Sequence, residues 1–577
     1  MNESHTYPSV TIKKIKFKNH EYSFNFNEDD IVLFVGANNV GKSRTLKDIR
    51  EQMIDLNVKK VLIDDIEFAE HLFTYENMMD FLENNLSKDE YGNYCFCVND
   101  YMTHNYSPST ITQDIFNSLN RFTDYYKLFY TFLSTENRLN LTKPVVYTSN
   151  YDSQARIVIN KLRTSQEMIL KLNTYLGNCF KKGVDIDDTN MDITPQISYK
   201  IGEFAEIERL MHCERRQVYE NLKKLDNLHD QGDGIRNAVA ILASLIVNEN
   251  RLYLIDEPET FLHPPQARQL GRDIVSLSTD KQCFIATHNI DFIRGVLENG
   301  SSRVKIIKID RNGSENKYNC LDNESVRKIS NDKNLKYSNI LNGLFYKHVI
   351  LCEDESDCKF YSAILEVVDT ETYQNTLFCA VGGKGQFSKI VPLLNSLHIN
   401  WYIIADLDLL NSTETVKYLL DSIGENKYKE IEDEHRDFLR LFQEGTNSEI
   451  KKQKVIKNEI EKIFKTAKDD EFISKETASK ISSLLKGINS YHLLKTGGIS
   501  NIPSGECVRC YEKVRDYLNE NHIFLLECGE IEGLVKTIGG HGSHWVEKVF
   551  ESYPDMNDQV YNQAKNFMRF VIDKLNR

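Results

Sequence analysis

A chain of 577 residues is too long for one hydrophobic core, so two to four domains are expected. Its 41% hydrophobic and 27% charged residues are those of a globular protein, and the absence of any run of about 18 apolar residues argues against a membrane-spanning helix. A formal net charge of −14 argues against a surface coated with nucleic acid and leaves only a local basic groove for that purpose.

Residues 1–10 are polar, without the apolar stretch of a signal peptide, and the twelve cysteines form no tight framework. Reduced thiols and a cytoplasmic location are expected. The segment TIKKIKFKNH alternates basic and apolar residues and reads as a half-exposed strand. Residues 31–35 are a continuous apolar run, as in a strand buried on both faces of a parallel sheet. The run enters Gly36-Ala37-Asn38-Asn39-Val40-Gly41-Lys42-Ser43, a complete G-x-x-x-x-G-K-S loop between strand and helix. Backbone N–H groups of such a loop wrap phosphates, and the helix behind it offers its N-terminus. Gly36, Asn38, Asn39, Gly41, Lys42, Ser43 and Arg44 are the expected ATP-binding residues, with Lys42 on the β- and γ-phosphates and Ser43 on Mg²⁺.

Residues 87–110 are polar and aromatic and read as loops. Residues 155–225 carry helical periodicity and many charges, and read as a helical insertion whose 206–216 stretch is a solvated amphipathic helix. Residues 252–255 form a second apolar strand ending in Asp256 and Glu257. Asp256 is expected to hold the Mg²⁺, and Glu257 to act as general base toward the attacking water. A third strand, 283–286, ends at Thr287 and His288, and His288 is placed to meet the γ-phosphate.

This order, with the stretch DEPETFLHP, resembles the ABC-type ATPase heads of SMC relatives. The resemblance implies a signature loop, for which DQGDGIRNAVAI supplies Gly232 and Gly234, although a serine usual before the glycine pair is missing. It also implies closure over ATP as a homodimer or higher homo-oligomer.

Residues 311–340 are rich in Asn, Ser, Asp and Lys, and the segment 311–345 reads as a linker. The next strand, VILC, ends in four carboxylates within five residues, namely Glu353, Asp354, Glu355 and Asp357. Residues 377–381 run into Gly382-Gly383-Lys384-Gly385, and residues 401–405 into Asp406-Leu407-Asp408. In an extended segment residues i and i+2 share a face, so Asp406 and Asp408 would meet Glu353 at one strand end. Carboxylates so close repel unless cations neutralise them, and an all-oxygen set suits Mg²⁺ or Mn²⁺.

The glutamate, glycine turn and D-x-D in this order resemble a TOPRIM domain. An ABC head followed by TOPRIM resembles the overcoming-lysogenization-defect (OLD) family of ATP-dependent nucleases, including the Gabija-type anti-phage nucleases. In that family's E-G-x-S/T-D/E motif, Glu353 and Asp357 match while Asp354 replaces the glycine. The resemblance implies further metal-binding acids in GEIEGL, Glu530 and Glu532, and a catalytic lysine near the C-terminus, Lys565, with Lys548 as the alternative. The expected fold is therefore α/β: an ABC-type P-loop ATPase head over 1–310, a linker over 311–345, and a Rossmann-like TOPRIM domain over 346–577 with a helical insertion around 412–490. Glu353, Asp357, Asp406 and Asp408 would hold two metals about 4 Å apart across a scissile phosphate. The implied activity is ATP-regulated nicking or cleavage of DNA in anti-phage defence, with a helicase-like or other defence-system partner protein and no membrane. The alternative is an ATP-switched sensor whose TOPRIM fold is a non-catalytic interaction module. A zinc site from Cys507, Cys510, His541 and His544 is the weaker reading of those residues, since only one CxxC exists.

Overall fold

The computed structural model describes residues 8–575 except 55–57, 86, 89–93, 99–101, 107–127, 147–153, 191–195, 211–214, 249, 301, 314, 322–324, 328–338, 447–452, 466–472 and 487–491. The chain divides into two compact units, Met1–Phe345 and Tyr346–Arg577.

The first unit is organised by a six-stranded sheet. Its strand order is Glu315–Leu321, Val304–Asn312, Ile31–Val35, Gln282–Ala286, Leu252–Asp256 and Tyr130–Leu133. Only the first two pair antiparallel; the other neighbours are parallel. Every residue of Ile31–Val35 and of Gln282–Ala286 is buried, which is why 31–35 and 283–286 read as apolar runs, while the buried Gln282 bonds the backbone of Ile12 and Asn27. An antiparallel three-stranded sheet, Ser23–Asn25, Ser9–Phe17 and Ile63–His71, supplies the other wall of the core. Phe17 stacks on Tyr318 at 3.8 Å and meets Phe34 edge-on, joining the two sheets.

Three expectations for this unit are corrected. The linker assigned to 311–345 begins inside the sheet, because Val304–Asn312 and Glu315–Leu321 form a hairpin whose register runs from Ile306 against Leu321 to Asn312 against Glu315. Turn-forming Asn, Gly and Ser residues around Gly313 made a hairpin tip look like a domain boundary. The first unit therefore extends past residue 310, and residues 328–338 lie outside the described residues. The insertion read as helical over 155–225 has helices at Gln154–Thr164 and Gln166–Phe180, but then a β-hairpin of Lys182–Asn190 and Gln196–Glu203. Cross-strand pairing outweighed the charged composition there. Of the stretch read as loops, Tyr94–Val98 and Met102–Tyr106 form an antiparallel pair, while 99–101 and 107–110 lie outside the described residues.

The second unit has one parallel four-stranded sheet in the order Thr376–Ala380, His348–Cys352, Trp401–Asp406, Ile523–Leu526. Helices Glu355–Val368, Gly542–Ser552 and Asn562–Leu575 contribute to a core in which Trp545, Phe360 and Tyr561 are fully buried. Between the third and fourth strands the chain forms helices Thr413–Ile423, Glu432–Thr446, Gln453–Lys465 and Lys475–Lys486. Among the described residues, no helix is long and apolar enough to cross a membrane.

Candidate nucleotide and carboxylate sites

In the first unit the loop after Ile31–Val35 opens at Gly36. Its φ is +147°, and a Cβ there would lie 2.3 Å from the Ile309 carbonyl oxygen, so only glycine fits. The helix Lys42–Ile54 starts at the end of this loop. Lys42 Nζ donates to the carbonyls of Gly36 and Ala37 at 2.9 and 2.7 Å. Burial lowers its pKa, against the pull of Glu257, Glu259 and Asp256. Ser43 Oγ donates to Asp256 Oδ1 at 2.7 Å, which puts both expected Mg²⁺ ligands in one place. Burial raises the Asp256 carboxyl, as expected for an acid awaiting a cation. Arg44 is a correction. Its guanidinium is held by Asp48 and Glu51 at 2.6 to 2.8 Å, and Asp48 also accepts the backbone N–H groups of Val61, Leu62 and Ile63. The Arg44 side chain is thus paired along its own helix instead of facing phosphate, and Asp48 ties that helix to the segment entering the neighbouring strand.

Glu257 has φ +48°, a left-handed backbone that a non-glycine residue adopts only when its surroundings insist. Its N–H donates to Ala286 O at 2.8 Å, and its carbonyl accepts from Thr260 Oγ1 at 2.8 Å and from Arg138 at 3.0 Å. Arg138 is fully buried and also donates to the carbonyls of Asp256 at 2.6 Å and Leu133 at 3.1 Å. Burial brings its pKa down to about 10. Nothing local in TENRLNL marks this arginine, because its role exists only once the Tyr130–Leu133 strand lies beside Leu252–Asp256. Arg138→Met is expected to lower the stability of the first unit by about 4 kcal/mol, because several carbonyls would lose their donor in a dry site. Thermal unfolding checks this, and a loss under about 1 kcal/mol would refute it.

His288 Nδ1 lies 3.2 Å from Glu257 Oε1 and 3.6 Å from Glu259 Oε1. The hydrogen bond with Glu257 raises the His288 pKa and lowers that of Glu257. Glu259 is buried and accepts from Thr287 Oγ1 at 2.7 Å and from the His288 N–H at 3.2 Å. It is the residue that orients His288, and the sequence reading assigned it no role. Gly232 caps the helix Asp233–Val247, and Arg236 on its first turn pairs with Asp233 at 2.8 Å. A Cβ at Gly234 would lie 2.6 Å from the Phe261 carbonyl oxygen, so this glycine lets the helix approach the stretch after Glu257.

In the second unit three strands end in acids and the fourth in the glycine turn, all at the carboxyl edge of the sheet. Carboxylate oxygens of Glu353, Asp406 and Asp408 lie within 4.8 Å of one another. Glu353 Oε1 is buried and accepts no hydrogen bond. Gly382 and Gly383, at φ +81° and +104°, donate their N–H groups to the Glu353 carbonyl at 3.0 and 2.9 Å. Asp406 closes its strand and caps the 3₁₀ turn Leu407–Asn411. A turn, and not the alternation of an extended strand, therefore carries Asp408 to the cluster.

Asp354 sits where the family motif has glycine. Its φ of −140° needs no glycine, and its carboxylate caps helix Glu355–Val368 by accepting from Ser356 N at 2.8 Å. Asp357 returns the capping box, accepting the Asp354 N–H at 3.1 Å. It stands beside the trio of oxygens and not in it. Burial first, then Asp354, Glu353 and Glu532, push its carboxyl to about 7.

Oxygens of Glu530 and Glu532 gather with His541 in a second group, within 4.8 Å of one another. His541 was absent from the sequence-based site, and Gly542 N donates to Glu532 Oε1 at 2.8 Å. Cys507 and Cys510 instead lie buried on the helix Glu506–Glu520, with Cys507 Sγ 3.9 Å from the Phe438 carbonyl, so the four-residue zinc reading is set aside.

The lysines also differ from expectation. Lys565 is buried on the last helix and donates to the Asp558 carbonyl at 3.4 Å. The ammonium groups paired with the acids are those of Lys384, 2.9 Å from Asp408 Oδ2, and Lys495, 3.8 Å from Asp406 Oδ2 and 3.4 Å from Glu530 Oε2. Lys384 stands in the glycine turn, where the sequence reading gave it no role; Lys495 reaches the site from the far end of the helical insertion and carried no local signal.

The donor set fits divalent cations: oxygen ligands, one of them buried without a donor, and carboxyls raised by burial at Glu353, Asp406 and Glu530. Cation binding is expected to expel protons. At pH 6, Mg²⁺ uptake should release protons, and affinity should rise as pH passes through about 7, the Asp357 value, then level off. Calorimetry in two buffers of different ionisation enthalpy reads this directly, and uptake without proton release at pH 6 would refute it. In metal-free protein the raised Asp357 makes the folded state bind the extra proton, so stability falls as pH climbs from its ordinary 3.8 to about 7.

The fold and these two sites define a P-loop ATPase head joined on one chain to a TOPRIM domain. Comparison with known families finds the same pair. The model "Overcoming lysogenization defect protein-like, TOPRIM domain" matches residues 344–408, and the model "AAA domain, putative AbiEii toxin, Type IV TA system" matches residues 151–294. Among curated proteins, the Old nuclease of Escherichia phage P2 is 27% identical over 172 residues, 28% of this chain and 28% of the relative. The endonuclease GajA of Bacillus cereus (strain VD045) is 27% identical over 180 residues, 30% of this chain and 29% of the relative. The chain thus spans less than a third of the length of either relative. Among solved structures, an Smc head bound to the C-winged helix domain of ScpA superposes with a TM-score of 0.34 and 13% identity, covering 54% of this chain and 98% of that one.

Proposed function

We propose that this protein is an ATP-binding and ATP-hydrolysing, divalent-metal-dependent DNA endonuclease that nicks DNA in prokaryotic anti-phage defence. The observation that carries the reading is the trio Glu353, Asp406 and Asp408, together with the buried, donor-free Oε1 of Glu353. The names of the two relatives, a nuclease and an endonuclease, support the reaction class. DNA as the nucleic acid follows the sequence resemblance.

When bound, Mg²⁺ or Mn²⁺ supplies an activated water and neutralises charge on the scissile phosphate. The chain's own residues position that chemistry. Glu353, Asp406 and Asp408 would form one ligand group and Glu530, Glu532 and His541 the other, with Asp357 feeling the charge of Glu353 in the first and Glu532 in the second. Lys495 joins the groups; burial works against its charge, but Asp406, Asp408 and Glu530 outweigh it and keep it protonated. It is therefore the lysine proposed to face the phosphate, in place of Lys565. In the first unit, Lys42, Ser43 and Asp256 would hold nucleotide and Mg²⁺, and Glu257, strained and paired with His288, would act as base toward the attacking water. The state proposed is a homodimer or higher oligomer, in the cytoplasm, with a further defence protein as partner.

A second reading has one observation in its favour. Lys384 is already paired with Asp408, as in a module whose acids are neutralised by ammonium groups and bind no metal. Plasmid nicking with Mg²⁺, Mn²⁺ or EDTA, each with and without ATP, separates the two. Metal-dependent nicks establish the nuclease. ATP hydrolysis with no cleavage of any nucleic acid under any condition favours the ATP-switched module.

A further inference from the structure

The second unit holds a cavity of about 450 Å³ that the metal chemistry does not use. It opens beside the strand Ile523–Leu526, which ends the sheet and pairs only with Trp401–Asp406 among the described residues. The last helix forms one wall through Gln563, Phe567, Phe570 and Lys574, whose spacing of four, three and four residues puts them on one face. The helix Glu506–Glu520 forms another through Arg515 and Asn519.

The lining is of two kinds. Phe570 is a large apolar side chain left 37% exposed, with its ring edge-to-face on Phe524 at 5.7 Å and the Lys574 ammonium 5.7 Å above it. A planar ligand could stack there without disturbing the core. Around it stand the amides of Asn519 and Gln563, which both donate and accept, and the carboxylates of Glu527 and Asp516, both bridged to Arg515, at 3.2 and 2.9 Å. An aromatic platform, amides for a ring edge, and the Lys574 ammonium for a phosphate are what a nucleobase carrying a phosphate requires. The volume lies within the range of small-molecule pockets, roughly 300–1,000 Å³.

The cavity backs directly onto the carboxylate site. Cys528, on its wall, donates its thiol to the Glu530 carbonyl at 3.3 Å. The adjacent Gly529 donates its N–H to Leu526 O at 2.9 Å and accepts from Leu407 N at 2.8 Å, the residue between Asp406 and Asp408. One short loop is thus bonded to the cavity wall and to both groups of acids.

We propose that this cavity is a nucleobase-binding site, taking either a free nucleotide or an unpaired base of a nucleic acid, and that its occupant is felt at Glu530. The coupling rests on the nuclease reading; the binding does not. The test uses the full-length protein with its ATPase site saturated by a non-hydrolysable ATP analogue. Binding of the four deoxynucleoside monophosphates and of a five-residue single-stranded oligonucleotide is measured by calorimetry, for the native chain and for Phe570→Ala and Lys574→Glu. Saturable binding with Kd below about 1 mM, weakened about tenfold in Phe570→Ala, is expected. Monophosphate binding identifies a free nucleotide as occupant, and oligonucleotide binding without it identifies an unpaired base; either supports the site. Absence of binding by every probe, or affinity unchanged in both variants, overturns it. Phe570 is partly exposed and Lys574 stands on the rim, and a thermal midpoint matching the native chain shows that a loss of binding is not a loss of fold. Because the readout is binding, a protein that binds these probes and cuts nothing fails the nuclease reading alone.

Discussion

Asp406→Ala combined with Asp408→Ala is expected to reduce metal-dependent plasmid nicking about a thousandfold while leaving ATP hydrolysis by the head intact. The two side chains supply two of the three acids in the first group, and the third, Glu353, leaves a buried oxygen without a donor. With both aspartates gone, Lys384 loses the carboxylate 2.9 Å away and Lys495 one of its two partners. The trio at the strand ends becomes a single acid beside two ammonium groups, a field that repels a divalent cation. The fold should survive, since removing mutually repelling carboxyls relieves a cost that burial imposes on Asp406 and Glu353. A gel assay for nicked circles, run beside a phosphate-release assay, reads both halves. Nicking within about tenfold of the native rate would place the metal chemistry elsewhere.

Glu257→Gln is expected to lower ATP turnover about a thousandfold with ATP affinity retained. The substitution keeps the shape of the side chain, and the left-handed backbone there is held by Arg138, Thr260 and the Ala286 carbonyl, none of which bonds the carboxylate. What is lost is the carboxylate 3.2 Å from His288. His288 then keeps only Glu259, so its raised pKa should move back toward its ordinary value. Single-turnover hydrolysis separates this from a binding defect, and a rate within about tenfold of native would remove Glu257 from the role of base. Whether the same variant stops nicking reports how the head governs the second unit.

The sequence by itself determined the parts whose chemistry is local. A phosphate loop needs its glycines and lysine in one stretch, and parallel strands buried on both faces must be apolar runs, so the positions of Gly36 to Ser43, Asp256, Glu257, Glu353 and Asp406 in a strand-helix loop and at strand ends were legible in the sequence. Asp354 was misjudged only in detail. It looked like a damaged glycine turn, and it caps a helix with its own side chain.

The tertiary structure decided everything that depends on distant segments meeting. Arg138 has a function because its strand lies beside the one ending in Asp256, and Glu259 because it bonds Thr287 and His288 on the neighbouring strand end. Lys495 reaches Asp406 and Glu530 across a long helical insertion, and His541 joins Glu530 and Glu532 through a turn nine residues beyond the second of them. The same holds for the negatives. Arg44 and Lys565 have the right chemistry in the right stretch, but each side chain is held elsewhere, by Asp48 and Glu51 and by the Asp558 carbonyl. Ionic and hydrogen-bond partners are set by short-range forces between groups far apart in the chain, and no local pattern encodes which partner wins.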